Sequence, residues 1–278
     1  MDIFDDTIKE IRDWFDSQKN SGQTRCYSAS PLMNNPFSSN ELPGDGRNGK
    51  IVLKEDTQVE LGHPSMGSCA ETLATHRLDL VSDGCITLVG PEISETQEPI
   101  LPFAQIIIAA LKRSKEIDGT SQGTIEIENT ASMMDRTAHM YVQTDGYMIR
   151  SVPNLIWARV SKEACRSGFS LKLLGERLIA AVKHQCNNVT ACEVFFVTSS
   201  KSDVGQLDDI VEKARAKQRK LETYTVGSDG ELECTQEIDC SACSEQVVCD
   251  TIRDVIRIRK GDRVVTIRAG ENTESGPE

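Results

Sequence analysis

The hydrophobic and polar positions of the chain follow two periods, and each period predicts a different element. Near the start, Phe4, Ile8, Ile11 and Phe15 recur at helical spacing with charged residues between them. This pattern predicts an amphipathic helix that packs its apolar stripe on the core. Residues 103–110 form instead a continuous apolar run that is rich in β-branched side chains, which predicts a fully buried strand.

The same reasoning predicts strands and helices that follow one another along most of the chain. Strands are predicted from runs of β-branched and aromatic residues at 51–53, 57–61, 85–89, 155–160 and 192–198. Helices are predicted at 65–75, 130–143, 161–166, 169–184 and 204–224. Ser161 and Ser202 stand where helix N-caps are expected. Strands separated by helices predict an α/β fold, with a mixed sheet covered by helices.

Changes in composition divide the chain into five segments. They are an N-terminal helical segment at 1–34, a linker rich in Pro, Gly, Asn and Ser at 35–50, an α/β domain at 51–230, a cysteine-rich segment with a hairpin at 231–270, and a disordered tail at 271–278. The hairpin is predicted from two apolar runs that flank a Lys-Gly-Asp turn at 260–262.

Charge and hydropathy narrow the classes of partner. The 278 residues carry a net charge of -12, from 31 basic and 43 acidic residues, so nucleic acid and membrane surfaces are not expected to bind. No run approaches the roughly 18–20 apolar residues of a membrane span. The first residues lack the features of a signal peptide, and we therefore expect a cytoplasmic protein whose thiols stay reduced.

Four of the ten cysteines lie close together near the C-terminus. Cys234, Cys240, Cys243 and Cys249 have the spacing C-x5-C-x2-C-x5-C, in which the central pair can present two thiolates to one metal. Sulfur ligands favour zinc or an iron–sulfur cluster over calcium or magnesium. A redox-active dithiol and a set of buried reduced thiols remain as alternatives.

Several short motifs occur in the order of one known family. They are VELGHP at 59–64, ITLVGPEI at 86–93, IWARVSK at 156–162, GFSL at 168–171, KARA at 213–216 and the Cys240-x2-Cys243 pair. From about residue 58 to residue 249 the chain resembles the β subunit of the carbon monoxide dehydrogenase/acetyl-CoA synthase complex (acetyl-CoA decarbonylase/synthase). The resemblance implies a middle α/β domain followed by the start of the domain that carries the A-cluster, a 4Fe-4S cubane bridged to two nickel ions.

The resemblance also implies roles for the cysteines. Cys240 and Cys243 match the first two cubane ligands of the family, and Cys249 resembles the third although its spacing is shorter. The sequence ends before the family's fourth cubane cysteine and before the Cys-Gly-Cys peptide that holds the distal nickel. Cys234 is the substitute fourth ligand, so the expected cofactor is a 4Fe-4S cluster without nickel, with zinc as the alternative.

Coenzyme A is the ligand that the resemblance implies for the middle domain, at a tryptophan surrounded by arginines. Trp157 is similar to that tryptophan, and Arg159 lies two residues further along the predicted strand, on the same face. Further arginines are expected to join this site, namely Arg136 and Arg150, with Arg166 and Arg177 as additional candidates. The alternative is a core tryptophan with unrelated surface arginines.

With these departures, the resemblance implies a stand-alone acetyl-CoA synthase-like protein of anaerobic one-carbon or acyl-CoA metabolism. The expected partners are CoA or acyl-CoA, together with a corrinoid protein, a ferredoxin or other subunits of an acetyl-CoA synthase complex. No catalytic residue is assigned. Two alternatives stay open: a subunit that completes its A-cluster with another chain for CO-methylating acetyl-CoA synthesis, and a structural zinc module in an assembly or regulatory protein.

Overall fold

A computed structural model gives the fold of the chain. It describes residues 2–19, 22–29, 51–112, 121–140, 146–152, 155–219, 224–226 and 232–234. The chain divides into two compact units, Met1–Lys217 and Gln218–Glu278. The predicted C-terminal hairpin and tail lie outside the described residues.

The described residues form α-helices and β-strands in the alternation expected of an α/β protein, so the predicted class is confirmed. The helices are α1 Asp5–Gln18, α2 Ser121–Met140, α3 Lys162–Arg166, α4 Leu171–Gln185 and α5 Lys201–Arg219. The strands are β1 Thr24–Ser28, β2 Thr57–Leu61, β3 Ser68–Thr75, β4 Cys85–Val89, β5 Ile100–Leu101, β6 Phe103–Leu111, β7 Tyr147–Val152, β8 Leu155–Ser161, β9 Val189–Val197, β10 Tyr224–Val226 and β11 Leu232–Cys234.

The core of the first unit is a mixed sheet with the strand order β1-β4-β9-β6-β3. Strands β4 and β9 are parallel, and so are β3 and β6, whereas β6 and β9 are antiparallel. Strand β6 lies between two other strands, and each of its residues is buried. Its sequence, apolar at every position except Gln105, follows from burial on both faces, which confirms the buried strand that was predicted there.

Helices α1 and α5 cover one face of this sheet. Phe15 of α1 packs on Phe195 of β9 with 4.5 Å between the ring centroids. Arg215 of α5 pairs with Glu71 of β3 at 2.8 Å between Nε and Oε2. Because the strand register places Glu71 and Phe195 in one row through Ile106, these two helices lie on the same face.

Helices α2 and α4 cover the opposite face. The Thr72 hydroxyl of β3 donates to the carbonyl oxygen of Ala131 in α2 at 2.9 Å. In α4, an added Cβ at Gly175 would lie 2.8 Å from Cγ2 of Ile86 in β4. Glycine is therefore what lets α4 approach the sheet this closely. The result is a three-layer arrangement of helices, sheet and helices.

A second mixed sheet has the order β5-β2-β8-β7, and one serine joins it to the first sheet. The Ser68 hydroxyl of β3 donates to the Ile156 carbonyl oxygen of β8 at 2.6 Å and accepts from the Ile156 N–H at 2.8 Å. Strand β8 alternates between buried and more exposed residues. Ile156 points inward and its neighbour Trp157 lies on the more exposed face.

Some predicted elements differ from the structure. Residues 65–75 were predicted to be helical, but Ser68–Thr75 is strand β3; pairing with β6 and burial of most of its residues remove the alternation of an ordinary strand. Residues 51–53 form no strand, and Ile51 and Leu53 are exposed. The helix predicted to begin at residue 130 begins at 121, and the helix predicted to reach residue 224 ends at 219.

One of the two predicted N-caps is confirmed. The Ser161 hydroxyl accepts from the Ala164 N–H at 3.1 Å and caps α3. Ser202 is not a cap, because α5 already begins at Lys201 and the Ser200 hydroxyl accepts from the Asp203 N–H at 3.1 Å. Within the described ranges, no helix has both the length and the apolar character needed to span a membrane.

Candidate functional site

The candidate site is a group of four side chains on β2, β8 and the turn after β2, named here the Trp157 cluster: Glu60, His63, Trp157 and Arg159. The Arg159 Cζ atom lies over the Trp157 ring, 5.3 Å from its centroid. The His63 ring meets the same indole edge-to-face, with 6.0 Å between centroids. The prediction that Trp157 and Arg159 share one face of a strand is confirmed by this contact, which is a cation–π arrangement.

Arg159 is held in place by β2 and by the segment before it. Its Nε donates to the Glu60 Oε1 at 2.9 Å, and its Nη1 donates to the Val52 carbonyl oxygen at 3.4 Å. Glu60 and Arg159 are direct partners in the β2–β8 register. Their side chains are 12% and 14% exposed, so the ion pair is largely removed from water. The positive charge beside Trp157 is therefore balanced by a carboxylate that is almost equally buried.

His63 is positioned by the tight turn that follows β2. Gly62 has φ +67°, and a Cβ atom there would collide with the Ile156 carbonyl oxygen, so only glycine fits. The His63 Nδ1 accepts from the Ser65 N–H at 3.2 Å and lies 2.8 Å from the Ser65 hydroxyl. Because a backbone N–H can only donate, this contact places the proton of the neutral ring on Nε2.

The other predicted arginines are distributed over the first unit. Arg150 lies on β7, where its backbone is the partner of Trp157 in the β7–β8 register. Arg136 is exposed on α2, a helix that packs against β3 and α4, so the described structure does not join it to the cluster. Arg166 ends α3 and Arg177 lies in α4. A side-chain contact with Trp157 is therefore shown for Arg159.

The cysteine segment is described only at its first member. Cys234 is the last residue of β11, and its backbone pairs with Tyr224 of β10. Cys240, Cys243 and Cys249 lie outside the described residues. A shared thiolate site thus remains a prediction from the spacing of the four cysteines.

Two cysteines of the first unit are buried in its core. Cys69 and Cys192 are fully buried, and burial raises the pKa of both thiols far above the ordinary range. Thiols of this kind are inert, since the thiolate is the form that reacts or binds a metal. Among the residues that the structure describes, no three His, Cys, Asp or Glu side chains converge on a common metal position.

The sequence did not reveal that Glu60 and Arg215 form ion pairs. Glu60 belongs to the 59–64 motif, but its pairing with Arg159 depends on the β2–β8 register. Arg215 was noted only as part of the 213–216 motif, although it is 8% exposed and pairs with Glu71. A signal for Arg215 exists, because it follows Val211 by four positions and so continues the buried stripe of α5.

Comparison with known proteins places this site within a region of recognised similarity. A family model described as CO dehydrogenase/acetyl-CoA synthase complex beta subunit matches residues 44–203. This range contains every member of the Trp157 cluster and ends before the four clustered cysteines. It also contains the two β-strands that carry the cluster.

Individual relatives agree with the family match at low identity. The chain is 28% identical over 183 residues to the acetyl-CoA decarbonylase/synthase complex subunit beta of Methanopyrus kandleri, covering 64% of this chain and 35% of the relative. To that of Methanothermobacter thermautotrophicus it is 29% identical over 175 residues, covering 61% and 33%. To the carbon monoxide dehydrogenase/acetyl-CoA synthase subunit alpha of Moorella thermoacetica it is 26% identical over 190 residues, covering 64% and 23%. The chain thus spans about a third or less of the length of these relatives.

Proposed function

Because this chain belongs to the CO dehydrogenase/acetyl-CoA synthase complex beta subunit family, we propose that it is a coenzyme A-binding, cluster-carrying protein of one-carbon or acyl-CoA metabolism. The first unit binds CoA or an acyl-CoA at the Trp157 cluster. The cysteine segment of the second unit binds an iron–sulfur cluster.

The observation that supports CoA binding best is the Trp157 cluster itself. A partly exposed indole is held on a strand between a guanidinium 5.3 Å away and an imidazole 6.0 Å away. An aromatic ring fixed in this way suits the adenine ring of a nucleotide, since stacking of a base on an aromatic side chain contributes about 1–3 kcal/mol. The whole arrangement lies inside the range that matches the family.

The proposed cluster ligands are Cys234, Cys240, Cys243 and Cys249. Four thiolates can hold a 4Fe-4S cluster, which supplies one-electron transfer, or a zinc ion, which supplies structural stability alone. We favour the 4Fe-4S cluster because the Cys240-x2-Cys243 pair resembles the first two cubane ligands of the family. If the segment binds zinc instead, it is a structural module.

A second candidate function follows from the names of the relatives. Those from the two methanogens are subunits of an acetyl-CoA decarbonylase/synthase complex. In this function the chain is one subunit of such a complex, and cysteines of another chain complete its A-cluster. A corrinoid protein or a ferredoxin is the other partner that the chain could bind. Co-purification with a protein that supplies further cysteine ligands supports this candidate function. A monomer that does not bind such proteins argues against it.

Titration with coenzyme A tests the first part of the proposal. Trp157→Leu should weaken CoA binding by about 5- to 150-fold, the equivalent of the lost stacking contribution. The matched control is Trp14→Phe, because Trp14 is buried on α1 and donates its Nε1 hydrogen to Gln206 at 3.1 Å. Unchanged CoA affinity in the Trp157→Leu variant would contradict the assignment of this cluster.

Anaerobic metal analysis tests the second part. Iron and sulfide in equal amounts, with a visible absorption band that is lost when Cys240 or Cys243 is replaced by serine, support a cluster. Stoichiometric zinc without colour identifies the structural module instead. Absence of iron, zinc and sulfide from protein purified without oxygen would exclude a metal role for the four cysteines.

A further inference from the structure

The charge balance of the Trp157 cluster bears on which part of a ligand it recognises. Resting on the proposed function, two roles exist for Arg159: it binds the phosphates of CoA directly, or it holds Trp157 in position. The two roles need different surroundings. A residue that binds phosphate needs an uncompensated charge, whereas a positioning residue needs a charge that is already balanced by a partner within the protein.

The charge of Arg159 is compensated, and two of its nitrogen atoms donate within the protein. Nε donates to Glu60 at 2.9 Å and Nη1 reaches the Val52 carbonyl oxygen at 3.4 Å. With Glu60 12% exposed and Arg159 14% exposed, withdrawing the guanidinium would leave a largely buried carboxylate without its cation. The same guanidinium lies over the indole of Trp157, where it restricts the ring.

We infer that Glu60 and Arg159 are positioning residues for Trp157, and that the cluster recognises the flat, uncharged base of the ligand and not its phosphates. The ion pair is close to neutral as a unit, so it offers little net attraction to an anion. The phosphates are then bound by cations outside the Trp157 cluster.

A set of isosteric variants separates the two roles. In a Trp14→Phe background Trp157 is the sole tryptophan, since the sequence has 2 tryptophans. Its emission maximum and anisotropy can therefore be measured without ligand. The variants are Arg159→Gln, Glu60→Gln and the double variant that carries both changes. Arg77→Gln is the matched control, because Arg77 forms an exposed ion pair with Asp79.

If Arg159 is a positioning residue, Arg159→Gln shifts the Trp157 emission to longer wavelength, lowers its anisotropy and weakens CoA binding at least fivefold. The double variant brings the emission, the anisotropy and the CoA affinity back toward the wild-type values. It leaves no buried carboxylate unpaired, because two glutamines at these paired positions can form a neutral hydrogen bond in place of the ion pair. Glu60→Gln alone changes CoA affinity less than threefold, since its oxygen still accepts from Arg159. Removing the 3′-phosphate from CoA lowers the binding affinity by the same factor in the Trp14→Phe parent, in Arg159→Gln, in Glu60→Gln and in the double variant.

If Arg159 binds phosphate directly, the results differ at two points. The double variant then binds CoA as weakly as Arg159→Gln, and Glu60→Gln binds CoA more tightly because it frees the guanidinium charge. Either result would overturn the inference. Circular dichroism shows whether Arg159→Gln has folded, and Arg159→Lys, which retains the charge but has a single donor group, replaces it if it has not.

The experiment also separates this inference from the proposed function. If wild-type protein does not bind CoA, the proposed ligand is wrong, but the emission and anisotropy of Trp157 without ligand still decide whether Arg159 and Glu60 position the ring. If CoA binds and the emission of Trp157 is the same in every variant, the positioning role is wrong and the ligand assignment stands.

Discussion

Replacing Arg215 with methionine removes the central cation of the ion-pair network that joins α5 to β3. The guanidinium donates from Nε to Glu71 at 2.8 Å and from Nη1 to Asp208 at 2.8 Å. It also donates from Nη2 to the Ala70 carbonyl oxygen at 3.1 Å. The Arg215 side chain is 8% exposed and that of Glu71 is 13% exposed, whereas Asp208 is 44% exposed and can turn to solvent. Glu71 is therefore the group that the substitution leaves buried and unpaired.

The expected loss of unfolding free energy is about 3–5 kcal/mol at neutral pH, the usual effect of removing one partner of a buried ion pair. For a unit of this size that corresponds to a decrease of about 6–20 °C in the unfolding temperature. Burial already raises the pKa of Glu71, and Arg215 opposes that effect. Without Arg215 the pKa of Glu71 must rise further, because its charged form has lost its compensating cation.

The direction of the pH dependence follows from this raised pKa. A carboxyl group whose pKa is higher in the folded state binds protons more tightly there, so folding gains stability below the unfolded pKa and loses it as the pH rises through the folded value. The variant should thus recover relative to wild type as the pH falls from about 7 toward about 5, while Glu71 becomes protonated.

Urea unfolding followed by circular dichroism at both pH values measures these differences. Methionine at both Arg215 and Glu71 should recover most of the loss, because a buried ion pair can be replaced by apolar side chains at little cost. Lys213→Met is the matched control; Lys213 forms an exposed ion pair with Glu10, for which we expect less than about 1 kcal/mol. A loss below about 1 kcal/mol in Arg215→Met, or no recovery in the double variant, would refute the reasoning.

Three further predictions concern other positions of the first unit. Arg12→Met should cost about 1–3 kcal/mol, because Arg12 pairs at 2.6 Å with Glu193, whose side chain is 2% exposed; limited proteolysis should then release α1 faster. Gly90→Ala should cost at least about 1–3 kcal/mol, since φ is +111° and a Cβ would collide with the Ser199 N–H. Gly205→Ala in α5 meets nothing within 4 Å and should stabilise the helix by about 1 kcal/mol, as thermal unfolding will show.

The sequence predicted α1 and β6 correctly because burial leaves a clear pattern of apolar residues in each of them. The stripe of α1 and the continuous run of β6 each have one interpretation in terms of burial, and both are confirmed. Strand β3 was predicted as a helix because most of its residues are buried and its apolar positions do not alternate. Its Glu71 adds a charge that has no local explanation. That charge is satisfied by Arg215, 144 positions later in the chain.

The same distinction holds at the candidate site. The period of a strand sufficed to place Arg159 on the face of Trp157, and the structure confirms that geometry. It did not suggest that the charge of Arg159 is balanced, because Glu60 lies 99 positions earlier and reaches it through sheet pairing. A motif therefore indicates which residues matter more readily than what each of them does.

The scaffold around Trp157 indicates that the ring is ordered before any ligand arrives. The residue before it, Ile156, is fixed through both its N–H and its carbonyl oxygen by the Ser68 hydroxyl, which ties β8 to the main sheet. On the exposed face the indole is flanked by Arg159, which Glu60 holds in turn. A residue whose neighbouring backbone and whose own side chain are both held in this way loses little further freedom when the proposed ligand binds, and this favours affinity. The positioning pair and the serine link thus act together, so weakening either one should reduce ligand affinity without removing any group that touches the ligand.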